Sequence, residues 1–446
     1  MSRVWRVVAL VAAGWCLNMT AQAQFSSYPS PVGATRMPEP IPCGPSAPAP
    51  PGPQPNLVPG PISPQAAPMG PPDCLSLPAD HTGAFQCEHY VDDSGIFVHI
   101  GPMALQRNKL GAGDIAVYNA RAQGQPFGPE VPNPFIPPPA GTASALGFNS
   151  FTPALSLGIR GTIGYLWDKQ SIEFTNFYIW ENDVTTSVQQ FGGLDTLFWN
   201  PPLTFLGDAL FRRADQVTTT FGSSLFSSEL NYRRWEVSGG LELIAGIRYV
   251  RQNDILGIMS QGTAFVQNSL GLATPGRDMA VYGVLTHNNI VAPQLGAEYN
   301  LPICSWLSLS GLGKGAWGVN FVNSDVSLTR GDGLTAFDTH RSASVFGQIY
   351  TLGAFADFNI LQRLHLRLGY TATWLLGVAT ANDQVDFNLM GYQARQAFGL
   401  QGLNQALSAG NLQQIRSAQQ SIPHGRGNNN GSIMYFGPQI ELQFFF

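Results

Sequence analysis

The chain has 446 residues, of which 11% are charged, with 28 Asp and Glu against 23 Lys and Arg. Soluble domains usually carry about 25% charged residues. A content of 44% hydrophobic residues argues against a disordered chain, and after residue 20 no apolar stretch is long enough for a spanning helix. The net charge of −5 gives no electrostatic basis for binding nucleic acid. Few charges, 49 glycines and many aromatic residues instead indicate a β-barrel in a membrane.

The first 23 residues have the parts of a secretory signal peptide. Arg3 and Arg6 form a basic region, residues 7–17 form an apolar region, and Ala21 and Ala23 form an A-x-A cleavage site. We therefore predict cleavage after Ala23 and a position in the bacterial outer membrane.

Residues 24–85 differ in composition from the rest of the chain. Within 24–80 there are 18 prolines, which favour extended conformations and cannot build a core. We predict a disordered periplasmic tail. Two hypotheses stay open for it: a plain solvated segment, or a ligand for a periplasmic or cell-wall partner.

From about residue 90 to residue 446 the chain alternates with period 2, which is typical of strands. The pattern predicts an all-β fold, an antiparallel up-and-down transmembrane barrel of ten strands, with twelve as the alternative. Short and long links alternate, and an even strand count places both ends of the barrel on the periplasmic side. The predicted strands are 95–106, 152–167, 170–182, 222–234, 237–250, 290–302, 306–321, 346–360, 363–378 and 432–446.

Each clear strand has one apolar face and one Gly-rich face with few charges. In the last strand, Ile440 and Leu442 lie on the apolar face, whereas Glu441 and Gln443 lie on the other. Such alternation predicts one face toward lipid and one toward the lumen. The terminal Phe446 resembles the signal that the outer-membrane barrel assembly machinery reads, so this machinery and membrane lipid are predicted partners.

The same alternation predicts which charged side chains face the lumen. Two hypotheses compete for them: ion pairs that fill a narrow interior, or a selectivity lining along a solute path. A barrel of about ten strands has little spare room, which favours the filled interior. The predicted lumen residues are Arg160, Glu173, Glu229, Arg233, Glu242, Arg248, Glu298, Lys314, Asp357, Arg367 and Glu441.

Four cysteines remain after signal cleavage: Cys43, Cys74, Cys87 and Cys304. All four are predicted on the periplasmic side, where the oxidising environment favours disulfides. Four cysteines allow three pairings, and the sequence does not choose among them.

No motif predicts an enzyme, a metal site or a cofactor. His287 and His340 fall in predicted loops, and loop polarity explains them. There is no nucleophile signature and no phosphate-binding glycine loop. Within 391–420, apolar residues recur at near-helical spacing, which predicts a helical insertion in an outer loop, either as a decoration or as a constriction.

Five segments span nearly all of the predicted barrel: Ser228–Arg234, Leu243–Tyr249, Gln294–Tyr299, Gly313–Asn320, and Leu368–Tyr370 with Trp374, Leu375 and Gly377–Ala379. In their order and spacing, they resemble the β-barrel porin-7 family. The resemblance implies a bacterial outer-membrane barrel without naming a solute. A porin-like channel with a charged narrow lumen is thus expected, and the alternative is a structural or surface-interaction barrel with a plugged lumen.

Overall fold

The computed structural model describes residues 94–119, 143–198, 214–262, 279–330, 335–387, 389 and 428–446. The predicted signal peptide, the Pro-rich tail and the 391–420 insertion lie outside these residues and stay predictions. No helix in the described ranges is long and apolar enough to cross a membrane.

The described residues form β-strands joined by turns, with two short 3-10 helices at Phe148–Ser150 and Asn382–Gln384. The strands are β1 Gly95–Arg107, β2 Asp114–Tyr118, β3 Ser144–Gly147, β4 Leu155–Trp167, β5 Gln170–Ile179, β6 Val184–Thr196, β7 Ala214–Ser238, β8 Leu241–Gln261, β9 Met279–Cys304, β10 Leu307–Arg330, β11 Thr335–Leu361, β12 Leu364–Val378 and β13 Gly431–Phe445.

Ten of these strands close into a ring in which every neighbouring pair is antiparallel. The order around the ring is β1, β4, β5, β7, β8, β9, β10, β11, β12 and β13, and β13 pairs back onto β1. The predicted ten-stranded up-and-down barrel is therefore confirmed, and the alternative of twelve strands is wrong.

Short turns and both ends of the barrel lie at one rim, which we call the short-turn rim. Asp168 and Lys169 link β4 to β5 with positive φ angles of 45° and 52°, and Gly239 and Gly240 link β7 to β8 with φ of 51° and 91°. Two consecutive residues with positive φ match the right-handed twist of the flanking strands. The turn predicted at 235–236 is wrong, because β7 continues to Ser238 before the two glycines reverse the chain.

At the opposite end, which we call the long-loop rim, one side of the barrel is much taller. Strands β7 to β11 have 21 to 27 residues, whereas β1, β4, β12 and β13 have 13 to 15. Crossing a bilayer needs only about 9–11 residues in a strand. Strand therefore continues into the segments between the predicted strands, at 183–221, 251–289 and 322–345. Beside this wall, β6 pairs with β7, β2 pairs with β6, and β3 pairs with β2.

The outer face of the barrel is an apolar band. Ile440 and Leu442 on β13 are 47% and 40% exposed, whereas Gln443 is buried, so the strand follows the predicted alternation. Tyr299 and Trp306 lie at the short-turn border of the band, as expected where a barrel meets the membrane surface. The exposed aliphatic side chains of the band include Leu157, Ile159, Ile163, Leu243, Ile247, Leu295, Leu309, Leu352 and Leu368.

Candidate functional site: the closed lumen

All eleven charged residues predicted for the lumen lie on the inner face, and each takes part in an ion pair. Their partners stand on other strands, several of them not adjacent in the sheet, so the side chains meet across the interior. The pairs are Arg160–Glu441, Arg233–Glu173, Arg233–Glu242, Arg233–Glu298, Arg248–Glu229, Lys314–Glu229, Arg367–Glu298 and Arg367–Asp357.

The first group of charges, nearest the short-turn rim, is built around two arginines. Arg233 on β7 lies 2.9 Å from Glu173, 2.6 Å from Glu242 and 2.7 Å from Glu298. Glu298 uses its second carboxylate oxygen to bind Arg367 on β12 at 2.7 Å. One carboxylate from β9 therefore joins two guanidinium groups that come from opposite sides of the ring.

A second group of charges lies one level further toward the long-loop rim. Glu229 accepts from Lys314 Nζ at 2.8 Å and lies 3.4 Å from Arg248 Nε. Arg160 Nε lies 3.3 Å from Glu441. Both groups sit at the depth of the apolar outer band, so these charges depend on each other rather than on water.

A small apolar cluster lies between the two charged groups on the β8 to β11 side of the lumen. Ile244, Leu312 and Phe355 form a buried cluster. On β10, Leu312 lies between Ser310, which donates to the first group at Asp357, and Lys314, which belongs to the second. The interior therefore alternates between polar and apolar levels along the barrel axis.

Above the second group the lumen is filled by apolar side chains. Met103, Leu105, Phe177, Ile290 and Leu375 are among the members of this buried layer. Further toward the long-loop rim, a larger apolar core lies inside the tall wall of β7 to β11. Its members include Ile115, Phe148, Phe151, Phe198, Phe221, Tyr282, Phe337 and Val385.

Between these two apolar cores lies a polar layer that was not predicted from the sequence. Arg107 Nη2 binds Asp254 at 2.7 Å, and Ser223 donates to Asp254 at 2.8 Å. Burial raises the pKa of Asp254, and the Arg107 charge opposes that rise. Asp254 continues the alternation of Glu242 and Arg248, so extending the β8 pattern would have found it.

The space left inside is small. Among the described residues, one cavity in the second charged group has room for about one water molecule. It is lined by Met103, Leu105, Arg160, Phe177, Glu229, Arg248, Leu312, Lys314, Thr351, Thr371, Thr373 and Gln439. The arrangement fills the barrel interior with side chains at several levels along its axis.

His287 and His340 lie in strands β9 and β11, so the prediction that they sit in loops is wrong. His287 Nδ1 lies 2.7 Å from Asn253 Oδ1, and His340 Nδ1 lies 2.5 Å from Asp325. Burial and the nearby Arg251 charge lower the pKa of His287. Within the described ranges, no group of three His, Cys, Asp or Glu residues is placed to hold a metal ion.

Cys304 ends β9 at the short-turn rim and is half-buried. It forms no disulfide with another described residue. Cys43, Cys74 and Cys87 lie outside the described residues, so the predicted disulfides stay predictions.

The closed ring of ten antiparallel strands, with an apolar outer band and charged residues inside, defines a transmembrane β-barrel of the outer-membrane type. No family model matches the chain, and no curated protein matches it. The resemblance to the porin-7 family therefore stays a prediction.

Among solved structures, the chain is similar to the outer membrane protease OmpT of Escherichia coli, with 12% identity over 80% of this chain and 100% of that one and a TM-score of 0.34. It is also similar to the toluene transporter TodX of P. putida, with 9% identity over 67% of this chain and 68% of that one and a TM-score of 0.26. A FadL homologue of Pseudomonas aeruginosa has 8% identity over 80% and 91% of the two chains and a TM-score of 0.23. Likenesses this distant carry no argument about what this chain does.

Proposed function

We propose that this protein is a bacterial outer-membrane barrel with a closed lumen, which acts through its outer surface and loops rather than as an open pore. The observation that carries the proposal is the complete pairing of the eleven lumen charges. A selectivity lining needs charges that face a solute, whereas these charges face one another.

Opening a path along the axis would separate several buried ion pairs. Glu298, for example, forms ion pairs with both Arg233 and Arg367. Removing one partner of a buried pair typically costs about 3–5 kcal/mol, because the other charge is left uncompensated. The two apolar cores would also have to part. These costs support a barrel that stays closed at rest.

The strand connections support an orientation with the short-turn rim in the periplasm. Both ends of the barrel meet there, since the Phe446 N–H donates to the Ile96 carbonyl at 2.9 Å. The tall wall of β7 to β11 and its apolar core then project outside the cell, as the long loops of such barrels do. Partners would bind this projecting part, and the Pro-rich tail would reach a periplasmic or cell-wall partner.

Conductance in a planar lipid bilayer tests the proposal. The barrel is first shown to be folded by its faster migration on an unheated gel, and an open porin in the same bilayer serves as the positive control. We expect no steady single-channel steps from the folded barrel. Steady steps would contradict the closed lumen.

A porin-like solute path is the second candidate. It is favoured by the polar side chains at three levels of the lumen, including the layer around Arg107 and Asp254. Under this hypothesis the ion pairs would rearrange to admit a solute, and steady conductance would be the result that supports it.

A further inference from the structure

Three cationic side chains converge on the small cavity in the second charged group. Arg160 on β4, Arg248 on β8 and Lys314 on β10 all line it, together with the single carboxylate Glu229. Arg248 is 2% exposed, and the Lys314 side chain is 5% exposed. The cavity is therefore a buried place where positive charge is concentrated.

The carboxylates near the cavity do not balance these cations. Glu229 forms ion pairs with both Arg248 and Lys314, and Glu441 forms one with Arg160. Three positive charges therefore face two negative charges at this level. The first group has carboxylates in excess, but on the β8 to β11 side Ile244, Leu312 and Phe355 lie between it and the cavity. Two of these buried cations share the one carboxylate of Glu229, so a further negative charge would stabilise this level.

The cavity also presents donors that a small anion can use. Arg160 Nε lies 3.3 Å from Glu441 but makes no hydrogen bond of good geometry there. The hydroxyl groups of Thr351, Thr371 and Thr373 also line the cavity, where Thr351 accepts from Arg248 and lies 3.1 Å from Thr373, and Thr371 donates to Gln439. The space suits a single atom of about the size of a water molecule, which excludes phosphate, sulfate and carboxylates.

From the three cations that line the cavity, the weak bonding of Arg160 Nε and the size of the cavity, we propose that the lumen binds one halide ion, chloride under physiological conditions, between Arg160, Arg248 and Lys314. The ion completes the charge balance of the second group. It thereby acts as a structural component of the closed lumen.

The direct test is a crystal of the full chain grown or soaked in sodium bromide, with data collected at the bromine absorption edge. We expect an anomalous peak inside the barrel, within contact distance of Arg248 and Lys314. In the same protein in detergent, the unfolding temperature should rise with chloride or bromide and then saturate. Gluconate at equal ionic strength, too large for the cavity, should give no such rise.

Two variants of β8 make a matched pair for the unfolding measurement. Arg248→Met removes one cation from the cavity and leaves two cations facing two carboxylates, so the halide-dependent rise should be lost. Arg251→Met removes a cation from the outer face three residues further along, where Arg251 binds Asn253, and the rise should remain.

The bromide crystal decides the matter even if Arg248→Met fails to fold. Absence of an anomalous peak in the cavity, with equal unfolding temperatures in chloride and gluconate, would overturn the proposal. So would a halide-dependent rise of the same size in Arg248→Met and the wild type.

Discussion

Arg233 and Glu298 form a 2.7 Å ion pair although their strands, β7 and β9, are separated in the sheet by β8. Between them on β8 stands Glu242, which binds the same guanidinium at 2.6 Å. The curvature of a narrow barrel turns all three side chains toward one point. This geometry makes Glu298 the carboxylate that links the two arginines of the first charged group.

Glu298→Gln is therefore expected to destabilise the barrel. The substitution keeps the side-chain shape but removes the charge shared by Arg233 and Arg367. Each arginine keeps at least one other carboxylate, so we expect a loss of about 1.5–3 kcal/mol, the range for a hydrogen bond to a charged group. Urea unfolding in detergent measures it. Asp325→Asn is the control, since its exposed pair with His340 should contribute about 0–1 kcal/mol. Equal effects of the two changes would show that the lumen pairs are not structural.

Leu442→Arg is expected to reduce the yield of inserted protein, because Leu442 points outward within the apolar band. A charge on the lipid face costs about 2–4 kcal/mol at mid-membrane and about 0–1 kcal/mol near the membrane surface, so a cost between these limits is expected at Leu442. Gln443→Arg should be milder, since Gln443 points inward near the short-turn rim and a long side chain there can extend toward water. Outer-membrane yield compares the two variants, and equal yields would mean that the register of β13 is wrong.

Acidification is expected to weaken the tall wall through His287. Its pKa in the folded chain lies below the usual value because of burial and Arg251 on β8, with His340 on β11 adding to this and Asp325 on β10 opposing it. The unfolded chain therefore binds a proton more readily, so stability falls as the pH drops below about 6.5. Unfolding temperatures at pH 7.5 and 5.5 measure the slope. His287→Gln should make the slope shallower, and an unchanged slope would assign it to other groups.

The two glycines of the β7–β8 turn allow a graded test of the turn. Gly239→Ala should cost about 1–2 kcal/mol, because φ of 51° is unfavourable for alanine but open space surrounds the new Cβ. Gly240→Ala should cost more, since φ is 91° and the Cβ would lie 2.3 Å from the Asn300 carbonyl oxygen. Urea unfolding ranks the variants, and the reverse order would contradict this turn geometry.

The long strands β7 to β11 show where the alternation of polar and apolar residues no longer predicts a strand. Near Asp254 the alternation on β8 continues, but the residues on both faces become polar, so the segment resembled a loop. Polar outer residues are what a strand carries once it leaves the membrane. Only the pairing of β7 to β11 with one another shows that the wall continues beyond the apolar band.

The sequence by itself determined the ten strands and which face of each is apolar, as with Leu368 outside and Arg367 inside on β12. Alternation with period 2 is a local property of an extended chain, so it is visible without any partner strand. The tertiary structure alone decided that Glu298 joins Arg233 to Arg367, and that three cations surround one small cavity. Such contacts depend on the closure of the ring and the stagger of its strands, which bring together residues far apart in the chain.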